Sequence, residues 1–198
     1  AAQALAYRSI ANRLLGGYEE ALQDAKRSLD MLSHGEEIAV AAGALPDYDD
    51  VHATGQAQQG SAPSAREIRA LATRNQGVSL QRIGQPLAGV ELLQDALADY
   101  EALGDTHNVA MTLFEIAVAY SDAGRHLEAL PMFERVLASW QQSHNVMGQA
   151  LVLNSIGVQY HARGEYVDAF DALTDALARA RRSGYTRLEA FSLASLGD

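Results

Sequence analysis

Residues 106–145 read THNVAMTLFEIAVAYSDAGRHLEALPMFERVLASWQQSHN, and residues 146–185 read VMGQALVLNSIGVQYHARGEYVDAFDALTDALARARRSGY. Laid one under the other, the two stretches agree column by column, and the agreement extends in both directions. Gly77, Ala117, Gly157 and Gly197 fall 40 residues apart. Gly84, Gly124 and Gly164 keep the same interval, as do Leu80, Tyr120 and Tyr160, then Leu93, Phe133 and Leu173, then Leu97, Leu137 and Leu177. A fixed period of this size is the mark of a repeat architecture.

Each period reads as two helices. Ala110, Leu113, Phe114, Ala117 and Tyr120 form one stripe at spacings of three and four, and Leu127, Leu130, Phe133, Val136, Leu137 and Trp140 form another. Between them Ser121-Asp122-Ala123-Gly124-Arg125 is a break, with Gly where a left-handed helix end is wanted. The second break of each period carries the N-cap types Asp105, Thr106, Ser143, Asn145 and Thr186. Ser64-x-x-Glu67 has the form of a capping box opening a helix. Gly in mid-helix costs about 1 kcal/mol against Ala. The small residue at 77, 117, 157 and 197 therefore predicts a close approach of two helices, with the large residue at 80, 120 and 160 packed beside it in the core.

The columns resemble the tetratricopeptide repeat. They include Ile156-Gly157, Tyr160, Gly164, Tyr166, Ala169, Leu173 and Ala176, then Ile116-Ala117, Tyr120, Gly124, His126, Ala129, Phe133 and Val136. Gly77, Leu80, Gly84, Pro86, Gly89, Leu93 and Ala96 follow the same order. Gly16-Gly17-Tyr18-Glu19-Glu20-Ala21-Leu22 matches the turn and second helix of an earlier copy, whose first helix departs from the pattern at Asn12. The resemblance implies an all-α fold, a right-handed superhelix of antiparallel helix pairs. The period of 40 is similar to a longer subtype in bacterial regulators of the maltotriose-activator and antibiotic-regulatory-protein kinds.

The expected organisation is a first helix pair at 1–32, an insertion at 33–63, and repeats at 64–105, 106–145 and 146–185. The first helix of a truncated fifth repeat follows at 186–198. Both ends read as cuts within a longer polypeptide. The insertion accounts for 28 residues beyond one period between Gly16 and Gly84. Its glycines, Pro46 and Pro63, the acidic run Asp47-Tyr48-Asp49-Asp50 and the glutamines 56, 58 and 59 are loop composition, with a short helix possible at Glu36–Ala42.

Charge and composition exclude several function classes. The chain has 198 residues, 25 acidic and 15 basic, for a net charge of −10. Affinity for nucleic acid rests largely on cations that neutralise phosphates, and anionic membranes attract the same cations, so neither is expected as a partner. No apolar run approaches the roughly 18 residues that span a bilayer, and no secretory leader is visible, so a cytoplasmic location is expected. There is no cysteine. No phosphate loop, dinucleotide fingerprint, nucleophile elbow or His-Glu-x-x-His motif occurs. His161 and Glu165 are four apart but flank Gly164, and the acidic run lacks the Gly and distal Glu of a calcium loop. The reading is therefore of no enzyme, no metal and no cofactor.

Stacked helix pairs offer a concave face instead. The resemblance implies that first helices line it. That assigns Leu71, Arg74, Asn75, Val78, Gln81 and Arg82 from one repeat, Met111, Phe114, Glu115, Val118 and Asp122 from the next, and Leu151, Asn154, Ser155, Val158 and His161 from the third. Arg74, Asn75, Gln81 and Asn154 suit a peptide backbone or carboxylate, and Met111, Phe114 and Val78 suit apolar side chains. Some family members clamp a terminal carboxylate with Lys, Asn and Arg. Arg74 sits at such a position, but valines 78, 118 and 158 stand in the Asn column. The expected function is a scaffold for a protein or peptide inside a larger bacterial regulator. The alternative is a small-molecule sensor domain of a transcription regulator. Self-association through the terminal helices is a third expectation, because Leu188, Phe191, Leu193 and Leu196 form an apolar helix face without a following partner.

Overall fold

The computed structural model describes residues 1–34 and 63–197. Those residues form nine helices: α1 (Ala2–Leu14), α2 (Tyr18–Ser33), α3 (Ala65–Arg82), α4 (Pro86–Leu103), α5 (Thr106–Asp122), α6 (His126–Gln142), α7 (Val146–Ala162), α8 (Tyr166–Ser183) and α9 (Thr186–Gly197). No strand occurs among them. The expected insertion, with its acidic run, its glutamines and the Glu36–Ala42 helix, lies outside the described residues apart from Ser33, His34 and Pro63. The described chain divides into two compact bodies, an N-terminal one ending at Ala119 and a C-terminal one from Tyr120.

The turns follow from the punctuation in the sequence. Gly84, Gly124 and Gly164 all have positive φ, closing the first helix of each pair. The second break also uses the left-handed conformation, at Gly104 (φ 71°) and Gly184 (φ 70°). His144 stands in that column with φ 55°, the one non-glycine residue of positive φ among the described residues. Asp105 and Asn145 cap the helices that follow, accepting from the backbone N–H of Asn108 at 3.0 Å and of Gly148 at 2.9 Å. Thr106 and Thr186 instead begin their helices, and Ser143 closes α6. The Ser64–Glu67 capping box is formed in both directions.

In the N-terminal body α1 packs on α2 and α3, α2 on α3, and α3 on α4. Ala2, Ala6, Ile68 and Ala72 make one buried cluster, with Leu29, Met31, Leu32 and Leu71 against it. Buried serines tie α1 to α2: Ser9 donates to the Ala21 carbonyl and Ser28 to the Ala2 carbonyl, both at 2.8 Å. The misfit at Asn12 has a physical cause. Asn12 donates to Asp24 at 3.0 Å, and the Arg8 guanidinium donates to both oxygens of the same buried carboxylate. The Arg8 hydrogen bonds hold the Asp24 carboxyl below the usual range against the opposing effect of burial. A polar cluster replaces an apolar contact there, and it is satisfied internally.

The C-terminal body stacks α6 on α7, α7 on α8, and α9 on both α7 and α8. Its packing shows a size exchange one period apart. A Cβ added to Gly148 at the start of α7 would lie 2.7 Å from the Trp140 ring of α6. In the matching place between α8 and α9, Ala180 meets Leu188 in a buried cluster with Ala150. Large-on-small and small-on-large fill the same space.

The mid-helix glycines are where helices approach. A Cβ on Gly77 would lie 2.8 Å from Leu93 and 2.9 Å from the Gly89 carbonyl oxygen, and one on Gly157 would lie 2.5 Å from Leu173. Among the described residues nothing lies within 4 Å of where a Cβ on Gly197 would stand. The partners expected in the core beside these positions, Leu80, Tyr120 and Tyr160, are half-buried. Tyr120 lies under the Arg125 guanidinium, 4.9 Å from its ring centroid.

Candidate interaction surfaces

The first helices carry most of the expected groove residues, and the structure puts them in two different environments. In the N-terminal body, Asn75, Val78 and Gln81 of α3 are buried, and so are Met111, Phe114 and Glu115 of α5. Asn75 is drawn into the scaffold: its amide donates to the Ala6 carbonyl of α1 at 3.4 Å, where α1 packs on α3. Arg74 is also built into the scaffold. It donates to Asn108 at 2.9 Å, and Asn108 in turn donates to Asp105 at 2.6 Å. Burial pushes the phenol of Tyr100, which Arg74 also contacts, upward in pKa, and Arg74 opposes that shift. A terminal-carboxylate clamp through Arg74 would have to break this chain of contacts. Arg82, at the end of α3, is exposed.

The C-terminal body is more open. Asn154 and Ser155 are half-buried on α7, while Val158 and His161 are exposed. Their spacing of i, i+1, i+4 and i+7 places them on one face. Ser155 donates to the Leu151 carbonyl at 3.3 Å, a bond within its own helix. The Asn154 side-chain oxygen is buried and has no hydrogen-bond partner among the described residues. His161 lies edge-on to Tyr166, with centroids 5.4 Å apart. Glu165 pairs instead with Arg163 at 2.7 Å, so the His161–Glu165 spacing brings no shared site. Among the described residues no group of three His, Asp or Glu is placed to hold a metal ion. No described helix is long and apolar enough to cross a membrane.

Two features were not anticipated. Gln149 and Gln159 on α7 are buried and fully engaged. Gln149 donates to the Trp140 carbonyl at 2.7 Å and accepts from Arg179. Gln159 bridges His126 and Ser121, at 2.8 Å to each. Glutamine at these positions reads as a surface residue, and only the neighbouring helices reveal its role. The second feature is exposed apolar surface at the start of α8, where Tyr166, Val167 and Phe170 are each more than half exposed.

Residues 68–142, which include α4, α5 and α6 in full, match the tetratricopeptide repeat family profile. Over that stretch the chain is similar to the tetratricopeptide repeat family. Among curated protein sequences none matches the chain. Solved structures match it over nearly its whole length. Aspartyl phosphate phosphatase F from Bacillus subtilis superposes with a TM-score of 0.74 at 12% identity, covering 98% of this chain and 45% of that one. The present chain thus spans less than half the length of that protein. A putative kinesin light chain of nearly identical tetratricopeptide-like repeats from Podosopora anserina gives 0.65 at 16% identity, covering 98% of this chain and 82% of that one. A variant of that same protein gives 0.66. At these identities the likeness shows the fold, an all-helical repeat solenoid of the tetratricopeptide type.

Proposed function

We propose that this chain is a protein-interaction scaffold that holds a peptide or protein against the open parts of its first helices. The observation that carries this reading is the α7 face. Asn154, Ser155, Val158 and His161 line up in the columns that the repeat type uses for partners, and they are half-buried or exposed on one face of α7. Arg82 is an open position at the end of α3 in the N-terminal body. Arg74, Asn75, Val78, Gln81, Met111, Phe114 and Glu115 then support the surface from within.

The 40-residue period favours a place in a bacterial cytoplasmic regulator, by its likeness to the longer repeat subtype. The test is affinity capture from a bacterial extract with the native chain and with an Arg82→Ala, Asn154→Ala, Ser155→Ala triple variant. The proposal expects a protein retained by the native chain and lost by the variant. Identical sets of retained proteins would overturn it.

A further inference from the structure

Among the residues that support the scaffold surface from within, Glu115 of α5 differs from the rest. It is 8% exposed, and with Asp24 it is one of two buried carboxylates among the described residues. Asp24 takes three hydrogen bonds, two from Arg8 and one from Asn12. No described residue donates to Glu115 or forms an ion pair with it, and α5 carries no lysine or arginine. Withdrawing a carboxylate from water is costly unless donors meet it.

The repeat explains why the donor is missing. Asn75, Glu115 and Ser155 stand in one column, 40 residues apart. Asn75 donates to the Ala6 carbonyl and Ser155 to the Leu151 carbonyl, so each satisfies a backbone oxygen. An ionised carboxylate has no hydrogen to donate and can only accept. Glu115 therefore cannot make the kind of bond that its column makes elsewhere. Its surroundings suit a long side chain with a donor at the tip. Asn108 and Glu115 lie seven residues apart, two turns along one face of α5. Arg74 of α3 donates to Asn108 at 2.9 Å, so this face looks towards α3. The cation that would have held a terminal carboxylate is thus taken up by Asn108, and the acidic group is the one left open. Val118, one turn beyond Glu115, is half-buried and offers apolar surface to a methylene stem.

We propose that Glu115 selects a cationic side chain, arginine or lysine, from a peptide segment of the partner protein. The proposal rests on the scaffold reading and adds the chemistry of what is held. The guanidinium or ammonium group donates to the carboxylate in a charge-assisted hydrogen bond, with its stem over Val118. A charge pair largely withdrawn from water is stronger than one at an exposed rim. The net charge of −10 draws the same cationic segments towards the chain.

The test pans a phage library of random dodecapeptides on the full chain. The retained peptides are expected to share an arginine or lysine at one place. The tightest is synthesised with that cation and with a neutral replacement, citrulline for arginine or acetyl-lysine for lysine, and binding is followed by fluorescence anisotropy. The replacement should weaken binding by about thirtyfold or more, and so should Glu115→Gln, as loss of one partner of a withdrawn charge pair does. The two changes together should cost little more than either alone. Circular dichroism should show Glu115→Gln folded, since the amide keeps the volume and can donate to a carbonyl as Asn75 does. A second measurement needs no variant: the Glu115 carboxyl carbon resonance should shift saturably with N-acetylarginine amide and not with N-acetylcitrulline amide. Retained peptides that share no cation, additive losses or an unmoved Glu115 resonance would overturn the proposal and leave the scaffold reading standing. Retention of no peptide would overturn it as well, and affinity capture with the Arg82→Ala, Asn154→Ala, Ser155→Ala variant then decides the scaffold reading separately.

Discussion

The α3–α4 pair and the α7–α8 pair stand two periods apart and make the same close approach by different means. Between α3 and α4 the backbones themselves touch. A Cβ on Gly89 would lie 2.5 Å from the Gly77 carbonyl oxygen. Between α7 and α8 the residue matching Gly89 is Ala169, and the space at Gly157 is filled by the Leu173 side chain at 2.5 Å, with the Ala169 carbonyl oxygen 3.3 Å away. The polar contacts also differ. Arg69 and Asp99 form an exposed ion pair between α3 and α4, whereas Gln149 and Arg179 join α7 to α8 at the matching positions through a buried amide. A column of small residues thus has two physical origins, and only the second can be relieved by trimming a side chain.

The size exchange in the C-terminal body supplies the most disruptive test. Gly148→Leu should destabilise by about 3–5 kcal/mol, because its side chain must enter the Trp140 ring. Adding Trp140→Ala should recover a large part of that loss by recreating the Ala180–Leu188 arrangement. Chemical denaturation of the two single variants and the double variant reads the coupling. Strict additivity would break the size-exchange account.

Next in size is the glycine comparison. Gly89→Ala should cost about 2–3 kcal/mol, with no single side-chain truncation able to rescue it. Gly157→Ala should cost less, and in a Leu173→Ala background its further cost should nearly vanish. Equal, unrescued penalties at both sites would mean that the two approaches are alike after all.

The polar pairs differ by a smaller margin. Asp99→Asn should cost about 0.5 kcal/mol, a loss that high salt erases. Gln149→Ala should cost about 1–2 kcal/mol with little salt dependence, since the Trp140 carbonyl loses its buried donor while Arg179 keeps Asp175. Thermal unfolding at low and high ionic strength separates them. A gain in place of a loss is expected at His144→Gly. The site already has the left-handed conformation that Gly104 and Gly184 adopt, so the variant should gain about 0.5–1 kcal/mol, seen as a raised unfolding midpoint.

Much of this architecture is legible in the sequence because each signal is local. Gly84, Gly124 and Gly164 mark turns, Ser64 and Glu67 mark a helix start, and Gly77 and Gly157 mark close approaches, all from spacing alone. Other features depend on what lies beside a residue. Val78 and Val158 are the same residue in the same column, yet Val78 is buried and Val158 is 40% exposed. Asn75 reads as a groove residue until α1 is seen packed against it. Asn12 breaks the repeat pattern because its partner, Asp24, lies on the neighbouring helix in a cluster that the later repeats do not contain. The exposure of Phe170 was equally hidden, since Leu130 in the same column is apolar and buried.

The most direct test of the scaffold account is site-specific photo-crosslinking. A benzoylphenylalanine is placed at position 158, on the open face of α7, or at position 175, on the exposed side of α8. Each chain is irradiated in a bacterial extract. The account predicts discrete crosslinks to a protein from position 158 and none of those products from position 175. The same products from both positions, or no protein crosslink from position 158, would contradict it.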